Sequence, residues 1–237
     1  MRNKSSMRRR FFTYWFLIIP LCVFCTQYSE ADLERARIHK DLRLLTWIGL
    51  TDSTVGLQAR RLISDFAVWD DEFHNFERIE PILKRALMSG DRYRILNALD
   101  IIGRIADSYA RGVSVRFLGR EAPPFVRNPF YLSLIPVIAQ VASSEYADVR
   151  ENAVILFSTI YISTDGSVSQ EHLRVIIRAL EQRTSDEHVE VRKDAFDALI
   201  YFNSAAVPVP HLKEIARRGL MDENEYVREM AEQLQSK

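Results

Sequence analysis

The stretch "DEHVEVRKDAFDAL", Asp186 to Leu199, is echoed 36 residues later by "DENEYVREMAEQL", Asp222 to Leu234. Both follow one template: Asp, four residues, Val-Arg, two residues, Ala. A chain that repeats a pattern at this spacing is tightly constrained in what it can become. One short helical unit cannot bury its own apolar stripe, but a stack of like units hides each stripe against the next.

The stripe can be read helix by helix. From Val191 it runs through Ala195, Ala198, Leu199 and Phe202, spacings that fall on one helical face. Val227, Ala231 and Leu234 repeat it, as do Val149, Ala153, Leu156, Phe157 and Ile160. Looser copies are Val55, Ala59, Leu62, Ile63 and Phe66, then Ile95, Leu99, Ile102 and Ala106. A different helix precedes each copy: "EPILKRAL" with Pro81, "IPVIAQVA" with Pro136, "EHLRVIIRAL", and "VPHLKEIARRGL" with Pro210. "DLERARIHKDLRLLTWIGL" takes that place in the first unit. Proline suits a first turn, where its missing N–H costs nothing. The polar turns "TDST", "SGDR", "SSEYAD", "TSDEH" and "MDEN" offer Asp and Ser as caps for the second helices. The pattern predicts an all-α chain of about ten helices in about five antiparallel pairs, with Val149, Val191 and Val227 buried.

The copies begin at 55, 95, 149, 191 and 227. Three of the four intervals lie near the ~40 residues of a helical-pair repeat. On "VRENA", "VRKDA" and "VREMA" the chain resembles the HEAT and armadillo repeat proteins over residues 32–237, most clearly in its last three units. The resemblance implies a right-handed α-solenoid whose second helices line a concave face. It also implies a structural role for Arg150, Arg192 and Arg228, as a ladder of hydrogen bonds between repeats. A ligand-binding row of arginines is the competing reading.

Five of the 32 basic residues (Arg2, Lys4, Arg8, Arg9, Arg10) fall in the first 25 positions, which hold no acid. The rest of the chain is therefore acidic by five charges, which argues against duplex nucleic acid as a partner. The basic head is followed by an apolar run from Phe11 to Cys25, the form of an export signal. Residues 1–25 read as a signal peptide or membrane anchor, and 26–31 as a linker. Both cysteines, Cys22 and Cys25, close the apolar run. "LCVFC" resembles a bacterial lipobox that would lipidate Cys25, with Phe24 where a small residue is expected. "SEA", ending at Ala31, offers ordinary signal-peptidase cleavage instead. The expected location is the bacterial envelope, periplasmic or anchored at the membrane through the N-terminus.

The longest interval exceeds the period by about fourteen residues. The excess maps to "RGVSVRFLGREAPPFVRNPFY", 111–131, where arginines alternate with aromatics and Pro123, Pro124 and Pro129 forbid a helix. Insertions in solenoids map to one face, and Arg and aromatics dominate interface hot spots. The partner-binding candidates are Arg116, Phe117, Arg120, Phe125 and Arg127. The alternative is an inert loop whose phenylalanines cover the solenoid edge. The stretch "VWDDEFHNFERIE", 68–80, reads as a solvated acidic linker, with Trp69 and Phe73 packing into the next repeat. Asp70, Asp71, Glu72, His74 and Glu77 are close enough in sequence for a metal site but lack a strict spacing. His172 and His211 hold matching first-helix positions, which suits packing.

There is no nucleophile elbow, phosphate loop or dinucleotide fingerprint. The expectation is a non-enzymatic scaffold without cofactor or metal, binding a protein or peptide along its concave face and through the 111–131 stretch. The alternatives are a HEAT-like enzyme of the bilin-lyase type and a structural envelope component.

Overall fold

The apolar stripes become the buried seams of a helical stack. The computed structural model describes residues 28–69, 73–116 and 130–235. Within them the α-helices are α1 Glu30–Ile38, α2 Leu42–Thr51, α3 Gly56–Trp69, α4 Glu80–Leu87 and α5 Arg92–Arg116. They continue as α6 Ile135–Val141, α7 Ala147–Ser163, α8 Gln170–Arg183, α9 Val189–Ser204, α10 Leu212–Gly219 and α11 Glu225–Gln235. Two 3-10 helices, η1 Phe73–Ile79 and η2 Phe130–Leu134, lead into α4 and α6. No strand occurs among the described residues.

The five units stack as an α-solenoid. Second helices form one layer: α3 packs on α5, α5 on α7, α7 on α9 and α9 on α11. First helices form the other, with α2 on α4, α4 on α6 and α6 on α8. Val149, Val191 and Val227 are fully buried, together with Ala153, Ala195 and Ala231. These alanines let successive second helices approach closely, and Phe157, Phe196 and Phe202 are buried among them, with the Phe202 ring 4.7 Å from that of Tyr161 on the preceding second helix.

Five expectations need correcting. The first unit is not a single pair. Its leading segment breaks at Lys40, whose φ is 49°, and Asp41 caps α2 by accepting from the Leu44 amide at 3.0 Å. With α1, η1 and η2 as lead-in segments, the first three units each have three helical pieces, so the described residues hold eleven α-helices and two 3-10 helices. Second, 68–80 is not simply a solvated linker. Phe76 and Ile79 of η1 are buried, and the Phe76 ring stacks on Phe130 at 6.4 Å between centroids. Third, the inserted stretch is shorter at both ends, because α5 continues to Arg116 and η2 begins at Phe130. Tyr131 is fully buried, its hydroxyl 2.8 Å from that of Ser163.

The fourth correction concerns prolines and histidines. Pro81 and Pro136 occupy first turns as expected, but Pro210 lies ahead of α10. His211 is exposed at the N-terminus of α10 with φ 56°, so it does not share the packed position of His172 inside α8. Fifth, the turn aspartates divide their roles. Asp91 caps α5 by accepting from the Arg94 amide at 3.1 Å, and Asn224 caps α11 through the Val227 amide at 3.3 Å. The backbone amides that Asp186 and Asp222 accept from are those of His188 and Asn224; the carboxylates otherwise take an arginine of the preceding unit, and Asp186 also takes Arg183 of its own unit at 3.2 Å.

Candidate binding surface

The turn aspartates meet the Val-Arg arginines across unit boundaries. Arg150 donates to both carboxylate oxygens of Asp186, from Nε at 2.8 Å and Nη2 at 2.7 Å. Its Nη1 donates to the carbonyls of Ser144 and Glu145 in the turn before its own helix. Arg192 repeats this one unit on, with Asp222 Oδ2 at 2.7 Å, Asp222 Oδ1 at 2.9 Å and the carbonyls of Asp186 and Glu187. Each turn is thus held from both sides, its carboxylate by the previous arginine and its carbonyls by its own. Arg228 makes the carbonyl half of the pattern, to Asp222 and Glu223. Burial alone would raise the pKa of Asp186 and Asp222. The Arg150 and Arg192 guanidiniums and the two backbone amides outweigh it and hold both below the usual range. These guanidiniums are occupied by protein groups and are not presented to a ligand.

The first units reach the same end by different means. Arg60 donates to Asp100 Oδ2 at 2.7 Å and to the Gly49 carbonyl at 2.7 Å, and Arg104 holds the other oxygen of Asp100 at 2.8 Å. Arg92 grips Asp148 through Nε and Nη2 and lies 5.6 Å from the centroid of the Tyr146 ring. Sequence reasoning missed these pairs. The available signal was spacing, since Arg60 and Asp100 lie one 40-residue interval apart.

What the second helices leave in water is a different set. One position before each buried stripe, a row crosses units three to five: Asp148, Asn152, Ile155 and Thr159 on α7; Glu190, Asp194, Asp197 and Tyr201 on α9; Tyr226, Met230 and Gln233 on α11. The 4-3-4 spacing puts each set on one helical face. The row is acidic and aromatic and contains no base. Ile155 and Tyr201 are 47% and 39% exposed, large for apolar side chains on a packed layer. Ile155 and Asn152 also line a groove of about 330 Å³ between α5 and α7, facing Asp100, Gly103, Arg104 and Asp107. Tyr226 donates its hydroxyl to Asp197 at 2.9 Å, and Lys193 lies over the Tyr226 ring. The Asp194 carboxyl is pushed up to about 6, first by burial and then by the charges of Glu151, Asp197 and Glu190.

The sequence candidates fall largely elsewhere. Phe117, Arg120, Phe125, Arg127 and Cys25 lie outside the described residues, and Arg116 ends α5 with its side chain outside them. Asp70, Asp71 and Glu72, and the side chains of Trp69, Phe73 and His74, are likewise outside; Glu77 is exposed on η1. Among the described residues no group of three or more His, Cys, Asp or Glu could hold a metal ion, and no helix is long and apolar enough to cross a membrane.

No protein-family model matches the chain, and no curated protein matches it. Among solved structures it is similar to the designed armadillo repeat protein YIII(Dq)4CqI, at 16% identity and TM-score 0.50, over 90% of this chain and 88% of that one. It is similar to the designed armadillo repeat protein YIII(Dq.V1)4CPAF in complex with peptide (KR)4, at 14% identity and TM-score 0.51, over 90% and 87%. An engineered protein, Northeast Structural Genomics Consortium target OR329, shares 18% identity at TM-score 0.50, over 88% and 85%. At these identities the likeness is one of fold: the chain is a repeat-built α-solenoid, similar in fold to designed armadillo repeat proteins.

Proposed function

We propose that the protein is a non-enzymatic peptide-binding scaffold whose ligand lies along the exposed face of the second helices, and that this ligand is an extended basic segment. The acidic and aromatic row on α7, α9 and α11 carries the reading. Asp194 is pushed up to about 6 first by burial and then by the charges of Glu151, Asp197 and Glu190, and a cationic ligand would relieve that repulsion. Ile155, Tyr201 and Tyr226 supply apolar and aromatic surface for the stems of Lys and Arg. The reading is supported by the similar designed armadillo repeat protein, which is in complex with peptide (KR)4.

Fluorescence anisotropy with a labelled (KR)4 peptide tests the reading. The wild type should bind it with a strong salt dependence and should ignore an acidic peptide of equal length. Asp197→Asn combined with Glu190→Gln should weaken binding about tenfold, the loss of one to two charge-assisted contacts. Equal affinity for the acidic peptide, or an unmoved affinity in the double variant, would remove the proposal.

Two further parts rest on the sequence. The Arg and aromatic stretch 111–131 is proposed as a second contact, for a partner protein of opposite charge. The envelope location is proposed from the basic head and apolar run of residues 1–25. Intact mass of protein isolated from its native cells checks the location: lipidated Cys25, a chain starting after Ala31, or an uncleaved membrane-bound chain would fit. An unmodified full-length chain in the soluble fraction would not.

A further inference from the structure

The first-helix layer does not continue its close packing from α8 to α10. The Val207–Pro210 segment lies there instead, and a cleft of about 310 Å³ runs between it and α8. Its floor is apolar, made by Leu173, Ile177 and Val207, all buried. Along its rim Arg174 and Arg178 stand one helical turn apart and exposed, and neither has a carboxylate partner among the described residues. Like charges at this spacing repel, so an anion between them is favoured. At the other end lies Glu181, whose Oε1 is shut off from solvent with no hydrogen-bond partner. Buried acceptors in folded proteins are nearly always satisfied, so an orphan beside an open cleft points to a missing donor.

We propose that this cleft is a small-molecule site for an amphipathic acid: a carboxylate held by Arg174 and Arg178, an apolar body on the Leu173–Ile177–Val207 floor, and a hydrogen-bond donor at the far end for Glu181. The seven helical steps from Arg174 to Glu181 span about 10 Å, which sets the length of the body. The volume lies at the lower end of the range for ligand pockets, and an apolar lining with a few convergent polar groups is their usual chemistry. Burial raises the Glu181 pKa, while the charges of His211 and Arg218 pull it back. An ammonium or hydroxyl donor would satisfy either protonation state. The site is independent of the peptide surface on the second helices.

NMR titration of the full chain with octanoate, its ω-amino derivative and octylamine tests the proposal. Both acids should shift backbone resonances of residues 170–181 and 207–210, and the ω-amino acid should bind about tenfold more tightly through one added charge-assisted bond. Glu181→Gln should remove that advantage while leaving octanoate binding in place. Arg174→Glu with Arg178→Glu should weaken both acids by at least about tenfold. Its melting curve should be unchanged, because both side chains are exposed. Absence of shifts in the cleft at millimolar ligand, binding of octylamine as tightly as the acids, or an Arg double variant that binds like wild type would each overturn the site. A short peptide with a free apolar C-terminus that outcompetes the ω-amino acid would overturn its assignment to a small molecule.

Discussion

Arg150, Arg192 and Arg228 carry the same repeated dipeptide but three different bonding states. The Arg150–Asp186 pair is almost fully enclosed, with side chains 5% and 3% exposed; Arg192–Asp222 is slightly more open, and Arg228 has no carboxylate pair among the described residues. Breaking a buried pair leaves an uncompensated charge, at about 3–5 kcal/mol. Arg150→Ala should therefore lower stability by about 3 kcal/mol, Arg192→Ala by about 2, and Arg228→Ala by under about 1, all measured by urea unfolding. Equal losses at all three would show that the carbonyl bonds, not the carboxylates, hold the turns. Titration adds a second residue-scale test. The Asp194 pKa is raised in the folded state to about 6, so folding takes up a proton between about pH 4 and 6, and stability falls as pH rises through that window. Asp186 and Asp222 are lowered, so their contribution is full above the ordinary carboxylate pKa and is lost only in stronger acid. Asp194→Asn should stabilise the protein at pH 8 by about 1 kcal/mol, discounted for partial solvation, and flatten the profile between pH 4 and 6. A profile in that window identical to wild type would place its cause elsewhere. The Val-Arg arginines were legible in the sequence because three units write them at one place. Arg60–Asp100 and Arg92–Asp148 were not, because each occurs once and no second copy marks it.

At the scale of helices, the apolar period located every second helix, since each must bury the same stripe. The boundaries followed other physics. The break at Lys40 uses a left-handed non-glycine residue with no Gly or Pro to announce it. Helix α5 runs on to Arg116 because no proline intervenes before Pro123. The sequence of η1 and η2 reads as linker and loop because their buried residues, Phe76, Ile79 and Tyr131, are too few to show a period. One glycine shows how tightly neighbouring helices meet. A Cβ at Gly219, the last residue of α10, would stand 2.5 Å from the Phe196 ring and 2.7 Å from the Ala231 Cβ. Gly219→Ala should thus force α10 away from α9 and α11 and destabilise the protein by about 1–3 kcal/mol. Phe196→Leu in the same background should recover part of that loss by removing the ring. If Gly219→Ala melted like wild type, the junction between the last two units would be looser than described.

For the whole molecule, the second helices differ in the residues they turn toward a following unit. Along the face that meets the next unit, α7 places Val154 and Phe157, and α9 places Phe196 and Leu199 at the matching positions, all buried. In α11 the matching residues are Glu232 and Gln235, both exposed. An apolar pair left uncovered on α11 would present an open seam to any other copy, and an uncovered outer face of a repeat needs polar residues to stay soluble. The substitution is hard to see when searching for apolar stripes, because its information lies in what is missing. It yields a test that involves no ligand. Glu232→Phe with Gln235→Leu restores the internal pattern at positions that already face water, so the fold should lose little stability. Sedimentation velocity should then show concentration-dependent self-association beyond that of the wild type at equal loading, because the new seam can be covered only by another molecule. Val191→Asp provides the contrast, since it puts a charge inside an existing seam and should unfold the last units without creating a sticky end. A double variant that sediments like wild type would mean that the outer face of α11 is already covered, and that Glu232 and Gln235 do not keep it from self-association.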